Sequence, residues 1–191
     1  MKFNSKRIAL LAMLTALASI TFIIEGLFPP LFIPGAKMGL SNIFGMLAVV
    51  LLSPLDAIIL VAVRTTLGSL IVGSLSSWLY SFFAGVASIV AASVLYKFFA
   101  DKISLVAISV AAAVIHNIAQ NTIFCIITQT PELYAYLPYL ALIGVVAGAI
   151  VGVAVILILR YVPFERMFDI RRKNNLDSQA EISDEAPQDE Q

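Results

Sequence analysis

Four polar residues interrupt an otherwise apolar stretch of the chain: His116, Asn117, Gln120 and Asn121. Offsets of one, four and five residues fall on one face of an α-helix, so the four side chains would project together. Polar groups on such a face would line a cavity or bind a ligand. The alternative, which is the usual one for a lone histidine, is that their hydrogen bonds are satisfied within the core. A metal site is not expected, because one histidine and the distant Cys125 do not supply a ligand set.

Two cations lie in comparably apolar surroundings. Arg64 is nine residues beyond Leu55, roughly 13 Å along a helix that begins there. Its side chain would face a cavity, or else brace the structure through backbone carbonyls or Glu25. Lys37 precedes Asn42 in a segment rich in proline and glycine, where we expect a helix to begin. A cation beside free backbone N–H groups makes a natural anion site, and the alternative is a lysine at the level of lipid headgroups.

The overall composition indicates the environment of these polar and charged side chains. Of the 191 residues, 60% are hydrophobic and 13% are charged, and the mean hydropathy is +0.96. A soluble domain usually carries about 25% charged residues. The composition therefore excludes an ordinary soluble enzyme, a disordered chain and a disulfide-stapled secreted protein. It indicates an integral membrane protein of several helices, in contact with lipid and without a nucleic-acid partner.

Six hydrophobic segments predict an all-α bundle of six transmembrane helices. Crossing the hydrocarbon core takes about 20 apolar residues, and the second segment is shorter than this. The second and third segments are separated by Ser53-Pro54-Leu55-Asp56, because proline suits a first helical turn and aspartate suits a helix N-terminus. The six segments comprise residues 8–24, 39–52, 55–72, 78–99, 103–128 and 137–159.

Lysine and arginine indicate how the helices are oriented. With the N-terminus inside, 10 of the 12 basic residues lie on the cytoplasmic side, Lys37 lies in an outer loop and Arg64 lies within a span. This bias predicts a multi-pass protein of the cell membrane with both termini in the cytoplasm. The acidic end of the chain predicts a disordered tail. We therefore expect a transmembrane domain at 1–162, a basic juxtamembrane segment at 163–176 and the acidic tail at 177–191.

Small residues recur at helical spacing on three of the segments. Gly144, Gly148 and Gly152 repeat every four residues, a pattern that lets helices approach closely in lipid. A second stripe consists of Ser77, Ser81, Gly85, Ser88 and Ala92. Ala12 and Ala16 form a shorter one on the first segment. We expect these stripes to pack helices within the bundle, and the alternative is docking to another membrane subunit, for which Ala12 and Ala16 are the best candidates.

In this topology the polar side chains lie at similar depths in the membrane. Lys37 and Asn42 start at the outer surface, and Arg64, His116 and Gln120 lie between that surface and the middle of the bilayer. We hypothesise that they line one cavity open to the outside, which binds a small molecule. Cations exceed acids among these groups, which favours an anionic or strongly hydrogen-bonding ligand, such as a carboxylate or a phosphate compound.

Three motifs occur in order along the chain: Pro34-Gly35-Ala36-Lys37-Met38-Gly39-Leu40-Ser41-Asn42, then Arg64-Thr65 with Gly68, then His116-Asn117 with Gln120. They resemble the Gx transporter family, which is also named heptaprenyl diphosphate synthase component I. The resemblance covers about residues 5–160. The family is similar to the S components of energy-coupling factor transporters, six-helix membrane proteins that capture a nutrient on the outer side.

This resemblance implies a coupling membrane protein as a partner, which is driven by two ATPases and contacts the chain through Ala12 and Ala16. It also implies that the first outer loop holds Lys37 over the ligand. The leading interpretation is therefore a substrate-binding membrane subunit of an energy-coupling factor type transporter. Its candidate ligand-binding residues are Lys37, Asn42, Arg64, His116, Asn117 and Gln120.

The family's other name favours a different function, a non-catalytic membrane component of heptaprenyl diphosphate or quinone synthesis or of an associated electron-transfer system. Its partner would be a prenyl synthase or an electron-transfer protein. Catalysis by the chain alone is not expected, because Asp56 and Asp101 are isolated and cannot form an aspartate-rich magnesium site. The sequence has no GxxxxGK[ST] loop and no heme, flavin or iron–sulfur ligand set, so no cofactor is expected. A third alternative is a membrane anchor that recruits a cytosolic partner through Arg171-Arg172-Lys173 and the acidic tail.

Overall fold

The computed structural model describes residues 5–27, 39–73 and 75–164, and no strand occurs in these ranges. Helices make up nearly all of them, which agrees with the predicted all-α class. The elements in chain order are α1 (Ser5–Leu27), α2 (Asn42–Leu51), α3 (Pro54–Val72), α4 (Leu75–Phe99), α5 (Leu105–Thr128), the 3-10 helix Pro131–Tyr136 and α6 (Leu137–Tyr161).

Five of the described helices are long and apolar enough to cross a membrane, and large apolar side chains cover their outer faces. The chain is therefore a multi-pass membrane protein whose helices contact lipid. The remaining helix, α2, has 10 residues and a length of about 15 Å, half the thickness of the hydrocarbon core. It is shorter than the predicted second segment because residues 39–41 form a turn, in which Gly39 adopts a φ of 72°.

Although α2 is short, the residues on either side of it contact opposite ends of α1. Near the end of α1, the carboxylate of Glu25 accepts a hydrogen bond from the backbone N–H of Leu40 at 2.6 Å. Near the start of α1, Arg7 donates to Ser53 at 2.9 Å and pairs with Asp56. Consequently α2 runs antiparallel to α1, and α3 begins beside the start of α1.

Side chains stabilise the break between α2 and α3. Ser53 Oγ accepts from the backbone N–H of Asp56 at 3.3 Å and donates to the Asp56 carboxylate at 2.8 Å. Pro54 occupies the first position of α3, where its missing N–H costs no hydrogen bond. The predicted helix stop and start is therefore confirmed. The buried Asp56 carboxylate also accepts from Arg7 Nε at 2.9 Å, so this ion pair holds the starts of α1 and α3 together.

Glycines allow α6 to pack directly on the backbone of α5. A Cβ added at Gly148 would lie 2.6 Å from the Cα of Val110, and one added at Gly152 would lie 2.7 Å from the Cα of Val106. Non-bonded atoms do not approach so closely, so a side chain at either position would push the helices apart. The predicted packing role within the bundle is confirmed for this stripe. Since higher numbers on α6 meet lower numbers on α5, the two helices are antiparallel.

The other helices alternate in direction as well. Trp78 near the start of α4 donates to Thr66 near the end of α3 at 3.0 Å, and Ser88 of α4 donates to the carbonyl of Ala112 of α5 at 2.9 Å. The start of α1 and the end of α6 therefore share one end of the bundle. We call it the basic end, because it holds every described cation except Arg64. These cations are Lys6, Arg7, Lys97, Lys102 and Arg160.

We expect Gly148→Ala to destabilise the protein, because the added methyl group would meet the α5 backbone. Overpacking of this kind costs about 1–3 kcal/mol. The measurement is the midpoint of thermal unfolding of the purified protein in detergent. The matched control is Val153→Leu on the exposed side of the same helix, which should leave the midpoint unchanged. Equal midpoints for both variants would contradict this description of the α5–α6 contact.

Candidate functional site

Within the described residues, a cavity lies between α2, α4, α5 and α6. It contains about 490 Å³ of empty space, a figure that includes its open side. Most of the wall consists of small or apolar side chains, as is usual for small-molecule sites. The polar residues of the wall are Asn42, Ser88, Ser109, His116 and Asn117.

Two neighbouring polar residues of α5, His116 and Asn117, belong to this wall. Asn117 Nδ2 donates to the backbone carbonyl of Leu140 on α6 at 2.9 Å. The amide fits between the two helices because Gly144 has no side chain, and a Cβ there would lie 3.1 Å from Asn117 Nδ2. The lack of a side chain at Gly144 therefore leaves room for Asn117, a residue of the cavity wall.

One turn further along α5, Gln120 and Asn121 are buried outside the cavity wall. Asn121 Nδ2 donates to the backbone carbonyl of Leu133 at 3.2 Å, which ties α5 to the 3-10 helix. The four polar residues predicted to act together therefore divide into two groups. The structure brings His116 and Asn117 to the cavity, whereas it places Gln120 and Asn121 nearer the 3-10 helix.

The guanidinium of Arg64 is buried beside the cavity and is not part of its wall. The residue is 2% exposed, and its Nη2 donates to Oδ1 of Asn42 at 2.6 Å. On the α4 side, a Cβ added at Gly85 would lie 3.8 Å from the same Nη2. Among the described residues, Nε and Nη1 of Arg64 have no hydrogen-bond partner. Arg64 therefore reaches the cavity through Asn42 alone.

Glu25 stabilises the same region from α1. Its carboxylate accepts from the backbone N–H groups of Leu40 at 2.6 Å and of Ser41 at 3.4 Å, just before α2 begins. The start of a helix carries a partial positive charge, so a carboxylate is favourable there. Glu25 also interacts electrostatically with Arg64. These contacts correspond to the bracing alternative for Arg64, with the Asn42 side chain as a further partner.

The other candidate residues lie away from the described wall. Lys37 falls outside the described residues, so its place over a ligand stays a prediction. Ala12 and Ala16 lie on the exposed face of α1. Of the described residues that form the wall, none is lysine, arginine, aspartate or glutamate. In the same parts of the chain, no group of three or more His, Cys, Asp or Glu side chains could hold a metal ion.

Sequence reasoning missed the small residues of the wall. The stripe on α4 is predicted to pack helices, yet Ser88 and Ala92 also line the cavity, and Ser109 of α5 was not a candidate at all. A signal for it exists, because Ser109 and Ala113 precede His116 by seven and three residues and so share its helical face. Extending that face toward the start of α5 would have found them.

Antiparallel apolar helices around a partly polar cavity define a multi-pass membrane protein with a candidate small-molecule site. The chain belongs to the heptaprenyl diphosphate synthase component I family, whose model matches residues 14–158. The matched region contains every residue of the described cavity wall and Ala16, but not Ala12. No curated protein and no solved structure matches the chain. The resemblance carried by the three sequence motifs is therefore confirmed at the level of the family.

We expect Glu25→Gln to lower the thermal unfolding midpoint. The amide oxygen of glutamine still accepts from Leu40, but the buried Arg64 loses its counter-charge. Because Glu25 is half-buried, we expect a loss of about 1–3 kcal/mol, less than for a fully buried pair. Glu132→Gln, an exposed position in the 3-10 helix, is the control and should behave like the unchanged protein. A midpoint for Glu25→Gln equal to that of the control would contradict this role.

Proposed function

We propose that the protein is a substrate-binding membrane subunit that captures a small molecule in the cavity between α2, α4, α5 and α6. The observation that supports this function best is the cavity itself. Side chains of Asn42 and Asn117 reach it from opposite parts of an otherwise apolar bundle, where polar groups are costly and usually functional. Such a subunit binds its substrate and depends on partner proteins for energy.

The orientation that we propose puts the basic end in the cytoplasm, following the preference of lysine and arginine for that side. With α2 counted as a crossing between the two ends, the chain has six crossings and both termini on the cytoplasmic side. Gly39 and Asn42 lie at the start of α2, the end of this short helix that is away from the basic end, and we propose that the cavity opens there toward the outer face. A ligand would enter from the outside. We do not propose that the ligand is an anion, because the described wall contains no lysine or arginine.

A coupling membrane protein would dock on the exposed face of α1 around Ala12 and Ala16. Small residues let a second helix approach the backbone closely, which is the main source of helix association in lipid. Neighbouring positions of this face are also exposed and apolar, including Met13 at 36% and Leu17 at 42%. The partner, with its ATPases, is implied by the similarity to S components.

A second candidate function rests on the description of the family. The protein would then be a non-catalytic membrane component that assists a prenyl synthase or an electron-transfer partner. Among the described residues, the acids Asp56 and Asp101 lie at the basic end, whereas Glu25 and Glu132 lie at the other end. They do not form the clustered carboxylates that bind magnesium and diphosphate, so the chain would contribute binding or recruitment.

The discriminating experiment is purification from native membranes in a mild detergent, with mass spectrometry of the bound small molecules and proteins. The proposed function predicts a water-soluble compound together with a coupling membrane protein. A bound prenyl lipid or quinone together with a prenyl synthase would instead establish the second candidate. Recovery of neither a small molecule nor a partner would contradict both.

We expect the double substitution Ala12→Trp with Ala16→Trp to remove the coupling protein from such a preparation. Two indole rings on this face would keep a partner helix at a distance, because close packing needs small residues. The amount of co-purified coupling protein should fall at least fivefold, while the bound small molecule is retained. Val153→Trp on the exposed face of α6 is the control for bulk in the lipid-facing surface. Undiminished recovery of the partner would rule out docking on this face of α1.

A further inference from the structure

The orientations of two side-chain amides in the cavity wall follow from their hydrogen-bond partners. A guanidinium is only a donor, so the atom of Asn42 that lies 2.6 Å from Arg64 Nη2 must be the carbonyl oxygen Oδ1. A backbone carbonyl is only an acceptor, so the atom of Asn117 that lies 2.9 Å from the oxygen of Leu140 must be the amide nitrogen Nδ2. Neither amide can be reversed without losing its bond.

Each asparagine therefore keeps one defined group for the cavity. Asn42 retains its Nδ2, a donor that lies over Gly39 at the mouth, 3.0 Å from where a Cβ would be. Asn117 retains its Oδ1, an acceptor, because its Nδ2 donates to the carbonyl of Leu140. No hydrogen bond between described residues uses either of these two atoms. The wall thus offers a fixed donor from α2 and a fixed acceptor from α5.

Arg64 is not among the residues of the described wall. The residue is 2% exposed, its closest polar contact is Asn42, and its charge is opposed by Glu25. The described wall contains no lysine, arginine, aspartate or glutamate. A ligand that carries a full negative charge would therefore lose its hydration without gaining a counter-charge from a lysine or an arginine of the described wall, which is unfavourable in an apolar surrounding.

Building on the proposed function, we propose that the cavity selects an uncharged molecule that carries a carbonyl acceptor and an N–H or O–H donor, such as a lactam. The carbonyl accepts from Asn42 Nδ2, and the N–H or O–H donates to Asn117 Oδ1. Arg64 is a positioning residue in this arrangement. It does not touch the ligand, and its hydrogen bond to Oδ1 turns the N–H groups of Asn42 toward the cavity.

The first test compares three matched probes by saturation-transfer NMR with the full chain in lipid nanodiscs. The probes are 2-pyrrolidone, N-methyl-2-pyrrolidone, which lacks the N–H donor, and pyroglutamate, which is the same lactam with a carboxylate. We expect 2-pyrrolidone to bind at least tenfold more tightly than either of the others. Tighter binding of pyroglutamate, equal binding of the two neutral lactams, or no binding of 2-pyrrolidone would overturn the inference. The proposed function is judged separately, by the co-purification experiment.

The second test uses Asn42→Asp. The carboxylate still accepts from Arg64, so α2 stays attached to α3, but the donor that faces the cavity is lost. We expect the thermal midpoint to stay the same or to rise and the affinity for 2-pyrrolidone to fall at least tenfold. Asn121→Asp is the same substitution outside the wall and should leave the affinity unchanged. Unaltered binding in Asn42→Asp would show that Asn42 only joins helices.

The third test separates positioning by Arg64 from direct contact. Arg64→Met removes the donor that orients Asn42, so we expect weaker binding of 2-pyrrolidone, while its preference over pyroglutamate stays the same. Arg64→Lys keeps a donor for Oδ1 and should recover part of the affinity. If Arg64→Met instead removed binding of pyroglutamate selectively, the guanidinium would be contacting an anion, and the assignment of Arg64 would be wrong.

Discussion

A single hydrogen bond, from Arg64 on α3 to Asn42 at the start of α2, fixes one corner of the cavity. Burying a guanidinium is costly unless its charge and its N–H groups are compensated, so the surrounding elements are constrained to supply that compensation. Asn42 accepts from Nη2 and Glu25 provides the opposite charge from α1, whereas Nε and Nη1 have no hydrogen-bond partner among the described residues. The same Glu25 carboxylate accepts from Leu40, so α1, α2 and α3 meet at this point.

The two ends of the bundle are held in different ways. At the basic end, the pair of Arg7 and Asp56 joins α1 to α3, and further from that end Glu25 and Arg64 both hold the start of α2. On the other side of the cavity, glycines such as Gly148 bring α6 against the backbone of α5, and Asn117 donates to the carbonyl of Leu140. The cavity lies where the first group of helices meets the second. Its wall is therefore shaped by charges on one side and by close backbone packing on the other.

Most of the architecture could be predicted from the sequence, because the properties that determine it are local. Runs of apolar residues indicate helices, the Ser53-to-Asp56 segment indicates a boundary, and the glycines that include Gly148 indicate close packing. Each of these features was found as predicted. The grouping of lysine and arginine at one end of the bundle also follows from the order of the segments. The length of α2 did not follow, because hydropathy does not reveal that residues 39–41 leave the helix.

The site was harder to predict, since membership in a wall depends on tertiary packing. His116 and Gln120 share a helical face, but the described cavity wall includes His116 and not Gln120. Small residues such as Ser88 have the same sequence pattern whether they pack a helix or line a void. Arg64 is a candidate for a ligand contact by its charge, and only coordinates reveal that it is buried and bonded to Asn42, a residue of the cavity wall. Lys37 lies outside the described residues, so its role rests on the sequence.

The contact between Arg64 and Asn42 is the most direct point at which to test this structure. Solid-state NMR can detect a dipolar coupling between the ¹⁵N-labelled guanidinium of arginine and the ¹³C-labelled side-chain amide of asparagine in membranes. The structure, with its 2.6 Å hydrogen bond, predicts a strong coupling that disappears in Asn42→Ala. A spectrum without this coupling, in protein that is folded and embedded in lipid, would contradict the arrangement of α2, α3 and the cavity.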